Sequence, residues 1–209
     1  SPGMREVYRV IDRVADKEVL VTILGESGTG KELVAKAIHA KSPRGHYPFI
    51  AINCGAVPDS LLGSELFGHQ KGAFTGASID RQGYLEYAHK GTLFLDEIGM
   101  LPLELQGKLL RFFQEGEFIR LGSNRLRTAD VRIIAATHQN LEDRVREGSF
   151  REDLFHRLNV ISVHVPTLAE RRSDIPLLAT HFLEEVCEDA HKQVRGFSAE
   201  ALEALRRYR

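Results

Sequence analysis

The stretch Gly25-Glu26-Ser27-Gly28-Thr29-Gly30-Lys31-Glu32 constrains the fold more than any other part of the chain. It follows an apolar run, Val19 to Leu24, that reads as a buried strand, and it leads into Leu33 to His39, which reads as a helix. Strand, glycine loop, Lys and helix together form the setting of a phosphate-binding loop. Gly25, Gly28 and Gly30 are expected at φ > 0, which turns backbone N–H groups inward. The start of the helix adds partial positive charge at the same point, and Lys31 reaches the β- and γ-phosphates as a point charge. The general pattern places Ser or Thr after the Lys to hold Mg²⁺. Here the residue is Glu32, which either ligates Mg²⁺ directly or through water, or simply starts the helix. A bare glycine-rich turn with a surface Lys is the alternative to a nucleotide loop, and the downstream sequence opposes it.

Further along, the pattern alternates strands and helices, which predicts an α/β fold. Met4 to Asp16 carries Val7, Val10, Ile11 and Val14 on one helical stripe, which packs on the domain and lies where it can flank an adenine. Phe49 to Ile52 reads as a strand ending in Asn53, which either faces the ligand crevice of an open α/β sheet or caps a turn. Residues 58–67 read as a short helix, and Gln82 to His89 as another. Between them, 68–78 is rich in small residues and shows no period. Glycine spacing there predicts a sharply bent loop with Phe74 and Thr75 near its tip. Phe74 either marks a contact surface or folds back into the core.

Thr92-Leu93-Phe94-Leu95 is an apolar strand that delivers Asp96 and Glu97 at its end. In that setting Asp96 holds Mg²⁺ through water, and Glu97 orients the attacking water and accepts its proton; a plain helix cap is the alternative. Pro102 to Glu115 reads as a helix, and 117–122 with 125–128 as a hairpin around Ser123-Asn124. Val131 to Thr137 reads as another central strand, whose polar end, Thr137-His138-Gln139-Asn140, lies where it can feel a γ-phosphate. Residues 142–147 and 151–158 read as helices. Arg151 and Arg157 are six apart, nearly two turns, on neighbouring faces. Val160 to Val165 is a last strand. Beyond Pro166 the pattern is helical only, with one long helix from Glu170 to about Asp189 and another from Phe197 to Tyr208 capped by Ser198. This divides the chain into a nucleotide-binding core, 1–166, and the start of a helical lid, 167–209. Both termini read as cut from something larger, with Tyr208-Arg209 stopping in mid-helix.

Charge then limits the partners. Lys plus Arg number 28 against 29 Asp plus Glu, a net charge of −1, which argues against nucleic-acid binding by this stretch. Cys54 and Cys187 lie far apart without CxxC spacing, so neither a zinc site nor a disulfide framework is expected, and a reducing cytoplasm fits. No apolar run reaches the roughly 20 residues that cross a bilayer.

Taken together, GESGTGKE at 25–32, ELFGH at 65–69, GAFTGA at 72–77, GTLFLDEIG at 91–99, VRIIAATHQNL at 131–141 and FREDLFHRLNV at 150–160 occur in one order. The chain resembles the central AAA+ ATPase domain of bacterial sigma-54-dependent transcriptional activators, the NtrC class. GAFTGA is the diagnostic element, and Glu after the loop Lys, odd by the general rule, is what this family has. The resemblance implies a RecA-like αβα sandwich followed by a partial helical lid, ATP and Mg²⁺ as ligands, and a ring, usually a hexamer, with ATP at subunit interfaces. It places Lys31 and its glycines on the phosphates, Asp96 and Glu97 at Walker B, Thr137 at sensor I, and Asn53 as the switch partner of Glu97. It places Arg151 and Arg157 as fingers reaching a neighbour's γ-phosphate, a contribution of roughly 10³–10⁵ in rate in comparable enzymes. Gly72, Ala73, Phe74, Thr75, Gly76 and Ala77 together become the loop that touches sigma-54, with Phe74 and Thr75 in contact, and DNA binding belongs to a separate domain. Three departures stand out: Gln70 replaces a Glu before GAFTGA, Lys90-Gly91 replaces Gly-Gly before Walker B, and the lid stops before its sensor II segment. Two other functions remain open at this level, a nucleotide switch without turnover and a generic AAA+ remodeller.

Overall fold

The computed structural model describes residues 1–208. In chain order the first half comprises α1 (Pro2–Val14), β1 (Val21–Leu24), α2 (Lys31–Ala40), β2 (Phe49–Asn53), α3 (Asp59–Phe67), α4 (Tyr84–Tyr87) and β3 (Thr92–Asp96). The second half comprises α5 (Leu103–Glu115), β4 (Glu117–Ile119), β5 (Leu126–Thr128), β6 (Arg132–Thr137), α6 (Leu141–Arg146), α7 (Glu152–Leu158), β7 (Ser162–His164), α8 (Ile175–Asp189) and α9 (Ala199–Arg207). Short 3₁₀ turns occupy Ile98–Met100 and Arg172–Asp174.

Five strands form one parallel sheet in the order β2-β3-β6-β1-β7. Period-2 alternation divides their side chains between two cores. Leu93, Leu95, Ile133 and Ala135 face the layer that contains Leu62, Leu66, Leu109, Phe112 and Leu154 of α3, α5 and α7. Phe94, Ile134, Ala136 and Ile23 face the layer of Val7, Ile11, Val34 and Ile38 from α1 and α2. The result is an αβα sandwich. Each fully buried Leu or Ile contributes about 1.5–3 kcal/mol relative to exposure. Parallel register sets Asn53 opposite Asp96, and Leu24 opposite Thr137. The carboxyl ends of the central strands therefore open on one edge, where ligands of such sheets bind.

Several expected boundaries move. The helix expected over 82–89 is reduced to Tyr84–Tyr87, since Gly83 is pressed against the backbone of Leu66 and Gly68 and Lys90 turns at φ 66°. The last core strand shrinks to Ser162–His164, and the hairpin strands to three residues each. The helix expected from Glu170 begins at Ile175 after a 3₁₀ turn, with Pro176 in its first turn. Ser198 caps α9 by accepting from the Ala201 N–H, and α9 ends at Arg207, with Tyr208 extended; Arg209 lies outside the described residues. Among the described residues no helix is long and apolar enough to cross a membrane.

Candidate nucleotide site and output loop

The loop between β1 and α2 is shaped by its glycines in two ways. Gly28 and Gly30 take φ of 78° and 94°, as expected. Gly25 does not adopt positive φ. It is required for space, because a Cβ there would lie 2.9 Å from both the Thr29 hydroxyl and the Val165 carbonyl. Thr29 in turn donates to the Glu26 carbonyl at 2.8 Å, bracing the loop from within. The ten-residue helix α2 then begins at Lys31, leaving its first N–H groups facing the loop. The Lys31 ammonium is buried and donates to the carbonyls of Gly25 at 3.0 Å and Glu26 at 3.2 Å, and to Glu97 at 3.4 Å. Glu32 lies in the first turn of α2, with its exposed carboxylate 2.8 Å from Lys36; of its two sequence readings, this geometry matches the helix start.

At the end of β3 the two carboxylates diverge. Asp96 stays on the strand, where Oδ1 accepts from the Glu97 N–H at 3.0 Å and Oδ2 from Asn53 Nδ2 at 3.3 Å. Burial first, then the facing Glu97, pushes the Asp96 carboxyl above its ordinary range, with Lys31 opposing the shift. Glu97 adopts a left-handed backbone, φ 53° and ψ 47°, a costly conformation for a non-glycine residue that starts the following 3₁₀ turn. This twist turns its side chain to Lys31 on one side and His138 on the other, the latter at 2.6 Å. Asn53, expected beside Glu97, lies instead on Asp96, because its Oδ1 is committed to the N–H groups of Gly55 and Ala56. Thr137 is fully buried, and its hydroxyl accepts from the Gln139 N–H. Cys54 beside them is inert, because burial and both acids push its thiol up to about 12.

A cleft of about 690 Å³ runs from residues 26–30 of the loop along Met4 and Tyr8 of α1 to Leu168, Arg171 and Phe182. Met4 and Tyr8 of α1 thus line the cleft beside the glycine loop. Sequence reasoning missed Arg171, which donates to the Thr29 carbonyl at 2.9 Å from 142 residues away; no local pattern announces so distant a contact. His138 was noted only as part of a polar strand end.

Arg151 precedes α7 and pairs with Asp153 at 2.7 Å, while Arg157 donates to the Phe113 carbonyl at 3.0 Å. Both are exposed and run beside α5.

The loop 72–77 is braced at its base and open at its tip. Buried His69 bonds Ser64 of α3 at 2.6 Å and meets the Phe74 ring edge-on at 5.0 Å, leaving Phe74 36% exposed rather than in the core. The Gln70 N–H donates to the Leu121 carbonyl, and a Cβ on Gly122 would strike Ala73 at 2.6 Å, so the β4–β5 hairpin sits hard against the loop. Gly72 and Gly76 turn at φ 83° and 102° in open space. Ala77 departs from the expectation that all six residues of GAFTGA form the contact surface, because it is buried. Its N–H donates to the Phe74 carbonyl at 3.0 Å, and its carbonyl accepts from the Gly72 N–H at 2.8 Å. The chain must return beside Gly72 to close so tight a loop, and the residue that makes the return is covered by it. Ala77 therefore holds the neck of the loop and offers no surface to a partner.

A parallel αβα sandwich with a glycine loop, a buried Lys and two consecutive acids at the end of a central strand defines a P-loop NTPase of the AAA+ class. The family follows from direct comparison. Residues 1–164 match the sigma-54 interaction domain, and the chain belongs to that family; residues 169–209 match an AAA+ ATPase lid domain. The chain is 56% identical over 207 residues to the DNA-binding transcriptional regulator NtrC of Escherichia coli K12, covering 99% of this chain and 44% of that protein. It is 52% identical over 205 residues to the regulatory protein AtoC of the same organism, covering 98% and 44%. Among solved structures, NtrX from Brucella abortus in complex with ATP superposes with a TM-score of 0.91 at 42% identity, covering 100% of this chain and 47% of that one. The chain thus spans less than half the length of the curated relatives it matches.

Proposed function

We propose that this chain is the ATP-hydrolysing motor of a sigma-54-dependent transcriptional activator, remodelling the closed promoter complex of the sigma-54 RNA polymerase. The observation that carries the proposal is the meeting of Lys31 and Glu97 at 3.4 Å, at the foot of a glycine loop that opens onto the cleft. In this reading residues 25–32 hold the phosphates, and arriving phosphates take the Lys31 ammonium from Glu97. Glu97 then accepts the proton of the attacking water; the resemblance gives Asn53, which bonds Asp96 here, as the switch residue and the buried Thr137 as sensor I.

Mg²⁺ fits the donors present. Asp96 offers hard oxygens, and its carboxyl is raised by burial first and then by the facing Glu97, a repulsion that a cation would relieve. A single carboxylate completed by phosphates and water is how Mg²⁺ is usually bound, and when bound the ion neutralises charge on the phosphates. Residues 1–166 form the core and 167–209 the start of the lid. The exposed Arg151 and Arg157 act across the interface of a ring, a hexamer by resemblance, so that hydrolysis requires assembly. The loop contacts sigma-54 through Phe74 and Thr75 at its tip, with Gly72, Ala73 and Gly76 shaping it and buried Ala77 closing it beneath them. DNA contact belongs to another part of the protein, in keeping with the balanced charge here.

The test is binding of purified sigma-54 with ADP–aluminium fluoride present and absent. Binding that needs the analogue, and that Thr75→Ala weakens at least about tenfold while hydrolysis stays within about twofold, is expected. No binding by a sample that hydrolyses ATP and forms rings would replace this reading with a generic remodeller.

A further inference from the structure

The Glu97 carboxylate is 12% exposed and is held at both oxygens. Oε1 accepts from Lys31 at 3.4 Å, and Oε2 meets His138 Nδ1 at 2.6 Å. A carboxylate only accepts, so Nδ1 is the protonated ring nitrogen. The polar neighbours that the resemblance nominates for Glu97 are otherwise engaged. Thr137 is sealed in the sheet with its hydroxyl on Gln139, and Asn53 bonds Asp96 and the turn that follows β2. The His138 backbone N–H adds a long bond to Oε2 at 3.5 Å that does not depend on the imidazole, and the two side-chain contacts of Glu97 differ in kind. The Lys31 contact is long, and phosphates would compete for it directly. The His138 contact is short, comes from a different strand end, and involves nothing that a phosphate displaces.

We infer that His138 is the positioning residue of Glu97: it fixes Oε2 and the tilt of the carboxylate plane, so that Oε1, once released by Lys31, is the oxygen offered to the attacking water. The inference rests on the reading of Glu97 as the base. It moves the sensing function of the β6 end from the buried Thr137 to the residue after it. His138 is 45% exposed, so replacing it removes little packing and isolates the contact with Glu97.

The experiment compares His138→Ala and His138→Asn in the protein that carries this domain, measuring steady-state ATP hydrolysis and the Kd of a fluorescent ATP analogue. His138→Ala is expected to lower kcat roughly 10- to 100-fold, the scale of lost support behind a proton-transfer group, with Kd within about twofold. His138→Asn, whose side-chain N–H can donate near the Nδ1 position, is expected to recover most of the loss. Ring ¹⁵N spectra of the nucleotide-free protein add a readout independent of turnover: the His138 Nδ1 signal is expected to be that of a protonated nitrogen and to move in Glu97→Gln. A kcat for His138→Ala within about twofold of the parent, or a raised Kd with unchanged kcat, overturns the inference. Glu97→Gln in the same assay separates the two levels: if it keeps full hydrolysis the reading of Glu97 itself fails, and if it is inactive while His138→Ala is normal only the inference fails.

Discussion

The two ends of the central sheet are built on opposite principles. At the carboxyl ends of the strands charge is left incompletely matched. Lys31 is buried among carbonyls and one carboxylate, Glu97 is held in a left-handed twist, and Asp96 is pushed above its ordinary range by burial and a like charge. At the amino ends Arg132 and Arg44 are held by carbonyls and carboxylates, with only the buried Arg132 Nε left without a partner on these two guanidinium groups. Arg132 donates to the carbonyls of Val14 and Ala15 at 2.7 Å each, capping the end of α1. Arg44 forks between Glu18 and Asp130 and reaches the carbonyl of Gly91. Gly91 itself has no room for a side chain, since a Cβ there would lie 2.0 Å from the Pro48 carbonyl. The difference teaches where this domain keeps its function and where it keeps its stability. One end holds a conformation that a polyanion would relieve, and the other anchors the helices and strands that hold that conformation in place.

The largest effect that tests this division is Lys31→Ala. Losing the buried ammonium is expected to weaken ATP-analogue binding roughly 100-fold, the scale of a lost charge-assisted contact with phosphate, about 2.7 kcal/mol. Glu97 keeps His138, so the melting temperature is expected to stay within about 3 °C. A variant that binds normally, or that melts far earlier, would erase the distinction between the two ends. Arg132→Met is the mirror experiment. It removes a buried guanidinium and takes the side-chain donor from the Ala15 carbonyl and from the Val14 carbonyl, which keeps only the Lys17 N–H, costing about 2–4 kcal/mol. For a domain of this size that is a drop of roughly 5–12 °C by thermal melting, with nucleotide affinity within about twofold. Weakened binding at unchanged stability would reverse the assignment.

How much of this was visible in the sequence depends on how local each cause is. The loop 25–32, the strand at Thr92–Asp96 and the Pro-started helix before Glu115 were legible because period, glycines and Pro all act within a few residues. Gly25 was misjudged because crowding by Val165 arises only once β7 pairs beside β1. Residues 82–89 fell short as a helix for the same kind of reason, backbone pressed against Gly83 from α3 and its exit. In the site, the residue types were legible but their pairing was not. Asn53, Thr137 and His138 all stand at strand ends, and which of them meets Glu97 depends on the φ of a single residue, 53°, that no periodicity encodes. The braces of the 72–77 loop, His69 and Gly122, are likewise products of tertiary packing; glycine spacing placed Phe74 and Thr75 near the tip but left open whether Phe74 folds into the core, and the structure leaves it 36% exposed. The motif GAFTGA does not divide itself into tip and neck, and Ala73 and Ala77 are the same residue type. Only the return of the chain to Gly72 buries Ala77 and removes it from the contact surface.

The smallest effect sharpens the comparison by pH. His39 on α2 is buried at the amino end, with Nδ1 on the Thr92 hydroxyl at 2.9 Å and its ring against Phe49. Burial above all, with repulsion from Arg132 adding to it and a backbone bond at Tyr47 opposing, holds its pKa below the ordinary imidazole value. The folded state therefore keeps His39 neutral where the unfolded chain, titrating at about 6.5, already binds a proton. Stability from this group is complete above about pH 6.5 and is lost as the pH falls through the window below it, by at most about 1.4 kcal/mol per pH unit for one proton. Asp153, Glu170 and Asp174 have lowered pKa values, so their own acid losses fall below the carboxylate range and outside this window. Asp96 is shifted the other way, and protonating it in the fold opposes acid destabilisation. Comparing the parent with His39→Gln cancels both, because the amide can still bond Thr92 but does not titrate. Urea unfolding at pH 7 and pH 5.5 is expected to show a smaller loss in the variant, by up to about 1 kcal/mol. Equal losses would mean that the amino end of the sheet admits a charged imidazole as readily as water does, and that its closure is less complete than its hydrogen bonds imply.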